Sequence, residues 1–328
     1  MKRKWKIVLL VVSFVVLLTN IAMAQTEEEF IKQLTREGMT AAEMLDMANE
    51  KMNEFDTYKF DGVMDIKTKV VGVIEDKQVE QTINMIINQE GMFKKPQKVY
   101  VKSKTKSIGL EENQISTEKT SEVFMEDGIM YMKNDSAEKW VKIDTNPMMK
   151  EIQKLLGNND MASVGISQKQ MELYGMFAYF DKDAIIDGKE YYVINIDLAN
   201  KTFKKLCKDI VNKTFEYYGK LGKAKGDSEL NSEEDQAKIK ALIQEMLEKM
   251  DIKVSYKLYV NKETKIFDKM EIIQNISMNM NGMNTNTYTE GKYRYYDFNK
   301  EVVFPKINIE DVQEINNVGK SKKMSKNR

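Results

Sequence analysis

The sequence predicts an α+β fold, a long, curved antiparallel sheet capped by helices. Three observations predict it. Short segments rich in Val, Ile, Tyr, Thr and Met recur across residues 58–144 and again across 252–298, and such partly alternating runs separated by tight-turn residues read as antiparallel meanders. Two amphipathic helical stretches, 201–220 and 234–250, sit between those two sets of strands. Strand runs and helix runs are thus segregated, which argues against βαβ units and a parallel sheet.

The elements follow in order. Lys2, Arg3, Lys4 and Lys6 precede an apolar run from Ile7 to Leu18, and Ala22-Met23-Ala24 follows. A basic n-region, a short h-region and a small-x-small site read as a secretory signal peptide over residues 1–24, cleaved after Ala24. An uncleaved N-terminal anchor is the alternative, although the run is short for a bilayer span. Residues 26–55 read as helical: Thr26 with Glu29 and Thr40 with Glu43 are capping-box patterns, and Met44, Leu45, Ala48, Met52 and Phe55 recur at helical spacing.

From Tyr58 the period changes to that of strands, expected at 58–74, 79–93, 97–108, 115–126, 129–133 and 139–144. Turn signals fall at Glu75-Asp76, Gln89-Glu90-Gly91, Glu111-Glu112-Asn113, Glu126-Asp127-Gly128 and Asn134-Asp135-Ser136. Helices are expected at 147–157 and 167–180, and Asp187-Gly188 opens a strand at 191–198. The best apolar stripe in the chain carries Phe203, Leu206, Cys207, Ile210, Val211, Phe215 and Tyr218. A polar loop at 222–234 leads to a second stripe, Ile239, Leu242, Ile243, Met246, Leu247 and Met250. Three strands near 252–261, 266–281 and 286–298, with a short one at 301–309, close the fold. One domain over 25–310 and a basic, disordered tail over 311–328 complete the organisation. A sheet of about nine or ten strands tends to curl, and helices are the available filler.

Composition narrows the function. The chain has 51 basic and 51 acidic residues, and removal of residues 1–24 leaves a net charge of −4. A mildly acidic, well-mixed surface argues against nucleic acid, whose phosphates need a basic face. Cys207 is the single cysteine, so no intramolecular disulfide forms and the core must supply the stability. The absence of histidine removes every Ser-His or Cys-His arrangement and any histidine-ligated zinc site. The expectation is a non-enzymatic monomer without a cofactor or resident metal.

Several motifs carry a resemblance. Met52-x-x-Phe55-x-x-Tyr58-x-Phe60-x-Gly62 leads from the first helix into the first strand. Phe124-Met125-x-Asp127-Gly128-x-Met130-Tyr131-Met132 is answered by Lys139-Trp140-Val141-Lys142-Ile143-Asp144, and Ile186-Asp187-Gly188-Lys189-x-Tyr191-Tyr192-Val193-Ile194 comes later. Together they resemble the uncharacterised secreted or lipid-anchored proteins of Gram-positive bacteria that share the LolA-like, or lipoprotein-carrier, fold. The resemblance spans roughly residues 40–310. It implies a half-open antiparallel barrel capped by helices, with an apolar cavity for acyl chains. Two departures stand out: Gln25 occupies the place of the lipid-modified cysteine of the anchored relatives, and nothing in the chain implies an outer membrane. Fold carries over better than role.

Methionine is the anomaly, at 24 residues. Met270, Ile272, Ile276, Met278 and Met280 alternate onto one strand face, and Met130 and Met132 do so elsewhere. Flexible thioethers suit a cavity that adapts to acyl chains, although ordinary core packing explains the same pattern. Met278-x-Met280-x-x-Met283 also spells a copper(I)-type thioether cluster, a weaker reading without histidine or a nearby cysteine. Asp181, Asp183 and Asp187 lack the calcium-loop ligand at the position of Ile185 and suit a turn instead. The helical pair, through Phe203, Leu206, Ile210, Phe215, Leu242 and Met246, is a candidate lid, with a static cap as the plainer alternative. Lys320, Lys322, Lys323, Lys326 and Arg328 suit a peripheral membrane or cell-wall contact.

The expected function is therefore extracytoplasmic binding of a lipid, lipidated peptide or other amphiphile in an apolar cavity. The alternative is a filled-core envelope module that senses or binds a protein partner.

Overall fold

The computed structural model describes residues 35–74, 77–109, 117–135, 139–146, 171, 175–225, 233–280 and 282–314. Helix α1 (Ala41–Met52) begins at a complete capping box: the Thr40 hydroxyl accepts from the Glu43 amide, and the Glu43 carboxylate accepts from the Thr40 amide at 2.8 Å. The helix stops at Met52, three residues short of the expected end. The Thr26 capping box and the signal segment lie outside the described residues.

The first meander is β1 (Thr57–Ile74), β2 (Lys77–Lys94), β3 (Lys98–Gly109), β4 (Thr117–Glu126), β5 (Ile129–Asn134) and β6 (Trp140–Asp144). After it come β7 (Met176–Phe180), β8 (Ala184–Ile186) and β9 (Lys189–Leu198), then helices α2 (Asn200–Lys225) and α3 (Glu233–Lys249). The last strands are β10 (Met250–Asn261), β11 (Phe267–Met280), β12 (Met283–Tyr296) and β13 (Val312–Glu314). All 13 belong to one open sheet, ordered β13-β6-β5-β4-β3-β2-β1-β12-β11-β10-β9-β7, with β8 also on β9. Every pairing is antiparallel except β13 with β6. Two meanders are thus sewn together by the long-range β1–β12 ladder, which runs from Lys59↔Tyr296 to Val71↔Asn284.

The structure corrects several expected boundaries. Gln89-Glu90-Gly91 is not a turn but the interior of β2, and the chain reverses at 95–97 instead. Residues 176–180, expected as the end of a helix, form β7. Gly175, at φ 67°, ends any helix before it, and Met176 and Ala178 are buried while Phe177 between them is exposed. The helices expected at 147–157 and over most of 167–174 lie outside the described residues. Helix α2 extends to Lys225, and Met250 opens β10 rather than closing α3. Residues 301–308 are not a strand; they cross the outer side of the sheet, where Phe304 packs edge-on against Phe124 at 6.1 Å, before β13 pairs with β6. The tail expected as disordered from 311 therefore begins with a short strand.

The Asp127-Gly128 and Asp187-Gly188 turns form as expected, each with both residues at positive φ, which suits two-residue hairpins. Helices α1, α2 and α3 pack on one face of β7 and β9–β11. There Met44, Leu45, Phe203, Cys207, Ile210, Ile243 and Leu247 close a core with Ile194, Ile196, Val254, Tyr256 and Ile272. Burial pushes the Cys207 thiol up to about 12.

Candidate functional site

In an antiparallel ladder, directly opposed residues share a face, so the register carries the helix-bearing inner face from strand to strand across the sheet. One row runs Leu258, Met270, Tyr293, Gly62, Gln89, Ser103, Ser121 and Asn134. The row beside it runs Tyr295, Phe60, Gly91, Val101, Val123, Met132 and Val141. Met130, Met132, Met270, Ile272, Ile276, Met278 and Met280 consequently all lie on this one face, on β5 and β11. Met283, whose direction the sequence left open, is opposed to Met280 and joins them.

The two halves of the face differ. Under the helices, Ile272 is 2% exposed and locked in the core. Over β1–β6 no described helix is packed; Tyr58 and Phe93 at the aromatic end are buried, but the inner-face side chains described on β3–β6 are half-buried or open, with Met132 at 42% exposure. This surface is uncharged but for one residue: among the described side chains of β12 and β1–β6, the inner face holds no carboxylate and a single cation, Lys119, which is exposed. The outer face is its opposite, crossed by ion pairs such as Arg294–Asp61 at 2.7 Å, Lys98–Glu126 at 2.7 Å and Lys257–Asp181 at 3.1 Å. That polarity division is what an antiparallel sheet with one wet face requires.

Polarity also changes along the strands. At one end the face is floored by aromatic rings: Tyr58 stacks on Phe93 at 4.8 Å, Phe55 meets Phe298 at 4.6 Å and Phe267 meets Tyr295 at 5.9 Å. Val99, Val101, Val123, Met125, Met130, Met132, Val141 and Ile143 adjoin the floor on β3–β6. Toward the other end β3 and β4 present Ser103, Thr105, Ser107, Ser121 and Lys119.

A clasp at the join of the meanders shapes the face. The Tyr293 ring lies against Gly62, and its hydroxyl reaches past β1 to donate to Gln89 Oε1 at 2.6 Å. The Gln89 amide in turn donates to Ser103 Oγ at 3.2 Å. Phe60 covers Gly91 in the same way. Glycine beneath a cross-strand ring is a known means of bending a sheet without losing a packed surface. Burial raises the Tyr293 phenol and pushes Tyr295 up to about 12, so both stay neutral. The sequence signal for the clasp was slight. Phe60-x-Gly62 was visible, but Tyr293 lies more than two hundred residues away.

The remaining expected sites place as follows. Phe203 and Ile210 are buried in the core, Leu206 and Met246 are half-buried, and Leu242 is 36% exposed; the Phe215 side chain lies outside the described residues. Asp181 faces Lys257, and Asp183 is held by Lys262 at 2.9 Å and Arg36 at 3.3 Å. Burial pushes the Asp183 carboxyl up, but those two cations hold it below its usual range. Among the described residues no three His, Cys, Asp or Glu side chains converge as metal ligands. An open cleft of about 430 Å³ lies at the far end of β10–β12 and β1, lined by Lys69, Lys249, Asp251, Met278, Asn279 and Asn286. Its charges are already satisfied, Lys69 by Glu80 at 2.6 Å, Lys249 by Glu245 at 2.7 Å and Asp251 by Asn200 at 2.7 Å.

A model described as a family of unknown function, DUF6612, matches residues 40–309. The chain belongs to that family. No curated protein matches it. Similar solved structures include a LolA superfamily protein from Nitrosomonas europaea, at 10% identity and a TM-score of 0.24, covering 81% of this chain and 96% of that one. A DUF1329 family protein from Desulfovibrio piger matches at 9% identity and a TM-score of 0.24, covering 80% and 93%. Lipovitellin matches at 7% identity and a TM-score of 0.31, covering 77% of this chain and 26% of that one. The LolA resemblance carried by the sequence motifs thus recurs among solved structures. Among the described residues no helix is long and apolar enough to cross a membrane.

Proposed function

We propose that this chain is a non-enzymatic, extracytoplasmic protein that holds a lipid, lipidated peptide or other amphiphile against the inner face of β1–β6. The observation that carries the reading is the half-exposed, almost uncharged surface of β3–β6, with Met132 at 42% exposure, beside a fully packed helical core. Exposed apolar surface of this extent marks a contact with something apolar. Met130 and Met132 are the lining residues of this proposal, and Met270, Ile276, Met278 and Met280 extend the same face toward α3. Burial of each methylene contributes about 0.8 kcal/mol before ordering costs. Helices α2 and α3 act as a cap whose exposed Leu242 side is the part able to exchange contacts. The N-terminal charge and hydropathy pattern supports export from the cytoplasm, and the resemblance of the strand motifs supports placement in a Gram-positive envelope.

Native mass spectrometry of protein secreted by its own host without detergent tests this, followed by denaturing extraction. The expected result is a stoichiometric mass that is lost on denaturation and identified as a lipid. An apo mass, with no thermal stabilisation by any acyl ligand, refutes it and favours the module that binds a protein partner, a reading suited to the filled core under α1–α3.

A further inference from the structure

We infer that the amphiphile is anionic and lies in one orientation, with its head at Lys119 and its chain running down β3–β6 toward the aromatic floor. The inference deepens the binding function proposed above and rests on it. Its basis is the placement of one charge. Among the described residues, the inner face of β12 and β1–β6 contains no carboxylate; Asp135, just past β5, accepts from the Thr120 amide instead, and no described carboxylate pairs with Lys119. Glu118 and Glu122, its acidic neighbours on β4, point to the outer face by strand alternation, and there Glu122 accepts from Tyr100 at 2.7 Å.

Around Lys119 the register assembles hydroxyl groups: Thr105 is directly opposed, Ser103 and Ser107 flank it on β3, and Ser121 follows it on β4. A cation ringed by four hydroxyl donors is chemistry for a phosphate or carboxylate. Four to six residues further along β4, about 13–20 Å of strand, the same face has become Val123 and Met125, with Met132 and Met130 opposed to them on β5, which offers nothing to a polar group. Beyond them stand Tyr58 and Phe93, stacked at 4.8 Å, where a chain would end. A polar head and an apolar tail are thus matched in order and in direction, and the reverse orientation would bury a charge against Val and Met.

Displacement of the neutral dye Nile red from the full mature chain tests the proposal, using oleate, oleoyl-lysophosphatidate and neutral monoolein below their aggregation concentrations. Oleate and lysophosphatidate are expected to bind about fivefold more tightly than monoolein, the scale of one partly exposed ion pair, and added salt should shrink that ratio. Lys119→Ala should erase the preference by lowering oleate and lysophosphatidate affinity toward that of monoolein, and Lys119→Arg should keep it. Equal affinities in the wild type, or a preference that survives Lys119→Ala, overturn the inference and leave amphiphile binding intact. Inorganic phosphate measured calorimetrically should bind far more weakly than lysophosphatidate; comparable binding would make this a free-anion site and also overturn it. Failure of all three amphiphiles to displace the dye would instead remove the proposed function itself.

Discussion

Gly62→Ala places a methyl group where the structure has none to spare. A Cβ at this position would lie 2.3 Å from Cδ1 and 2.6 Å from Cε1 of Tyr293, and 2.8 Å from the Lys292 carbonyl oxygen. The ring cannot step aside cheaply, because its hydroxyl is bonded to Gln89 at 2.6 Å. Overpacking of this kind costs about 1–3 kcal/mol, and losing the tyrosine–glutamine bond adds about 1 kcal/mol. Reduced entropy of the unfolded chain returns about 0.4–1 kcal/mol. The net expectation is a loss of about 2–3 kcal/mol, read as a lowered urea midpoint with an unchanged slope, and a Tm lower by roughly 3–5 °C for a chain of this length. The reasoning also specifies the partner. In a Tyr293→Ala background the ring is gone and only the carbonyl contact remains, so the cost of Gly62→Ala should fall to about 1 kcal/mol. A neutral Gly62→Ala, or an equal cost in both backgrounds, would refute the clasp.

Further expectations follow from other contacts. Thr40→Ala removes the hydroxyl half of the α1 capping box, leaving the backbone amide of residue 40 to donate to Glu43, and should cost about 1 kcal/mol by urea unfolding; no change would show that the hydroxyl adds nothing to the N-terminus of α1. Cys207, with its thiol pushed up to about 12 by burial, should resist maleimide at pH 8 in the native protein and react fully in urea, and rapid native labelling would contradict its place in the core. Glu37 is held below its usual value by hydrogen bonds from Lys265 and Tyr192. Its stabilising effect is therefore complete above the unfolded value near pH 4.5 and lost as pH falls through the folded one. Tm measured from pH 3 to 7 should drop less steeply on the acid side in Glu37→Gln, and parallel curves would show that Glu37 adds nothing. Val101→Asp places a carboxylate in the apolar part of the inner face and should weaken amphiphile binding more than tenfold; undiminished binding would move the site off β3–β6.

Much of the local structure was legible from residue order. Alternation in 58–74 and 252–261, the Asp-Gly turns and the Thr40–Glu43 capping box depend on neighbours a few residues apart, and each formed within two residues of its expected place. Misreadings arose where a local signal had a distant cause. Gly91 looked like a turn because glycine usually is one, yet it sits in a strand because Phe60 covers it. Residues 176–180 carry apolar side chains at a density that suits a helix, and pairing with β9 made them a strand. The methionine pattern on β5 and β11 was likewise visible, but not that a seven-strand register joins the two sets on one face.

The sequence by itself determined that the sheet is antiparallel and amphipathic and that two helices share its company, because periodicity and turn chemistry act over a few residues. Only the tertiary structure decided that β1 pairs with β12, that the described helices cover β7 and β9–β11 and leave β3–β6 bare, and that among the described strand residues Lys119 shares the inner face with no carboxylate. Those facts rest on contacts between residues as far apart as Gly62 and Tyr293. Whether a half-apolar strand is buried or open depends on which partner reaches it first in space, a choice its own period of two leaves undetermined.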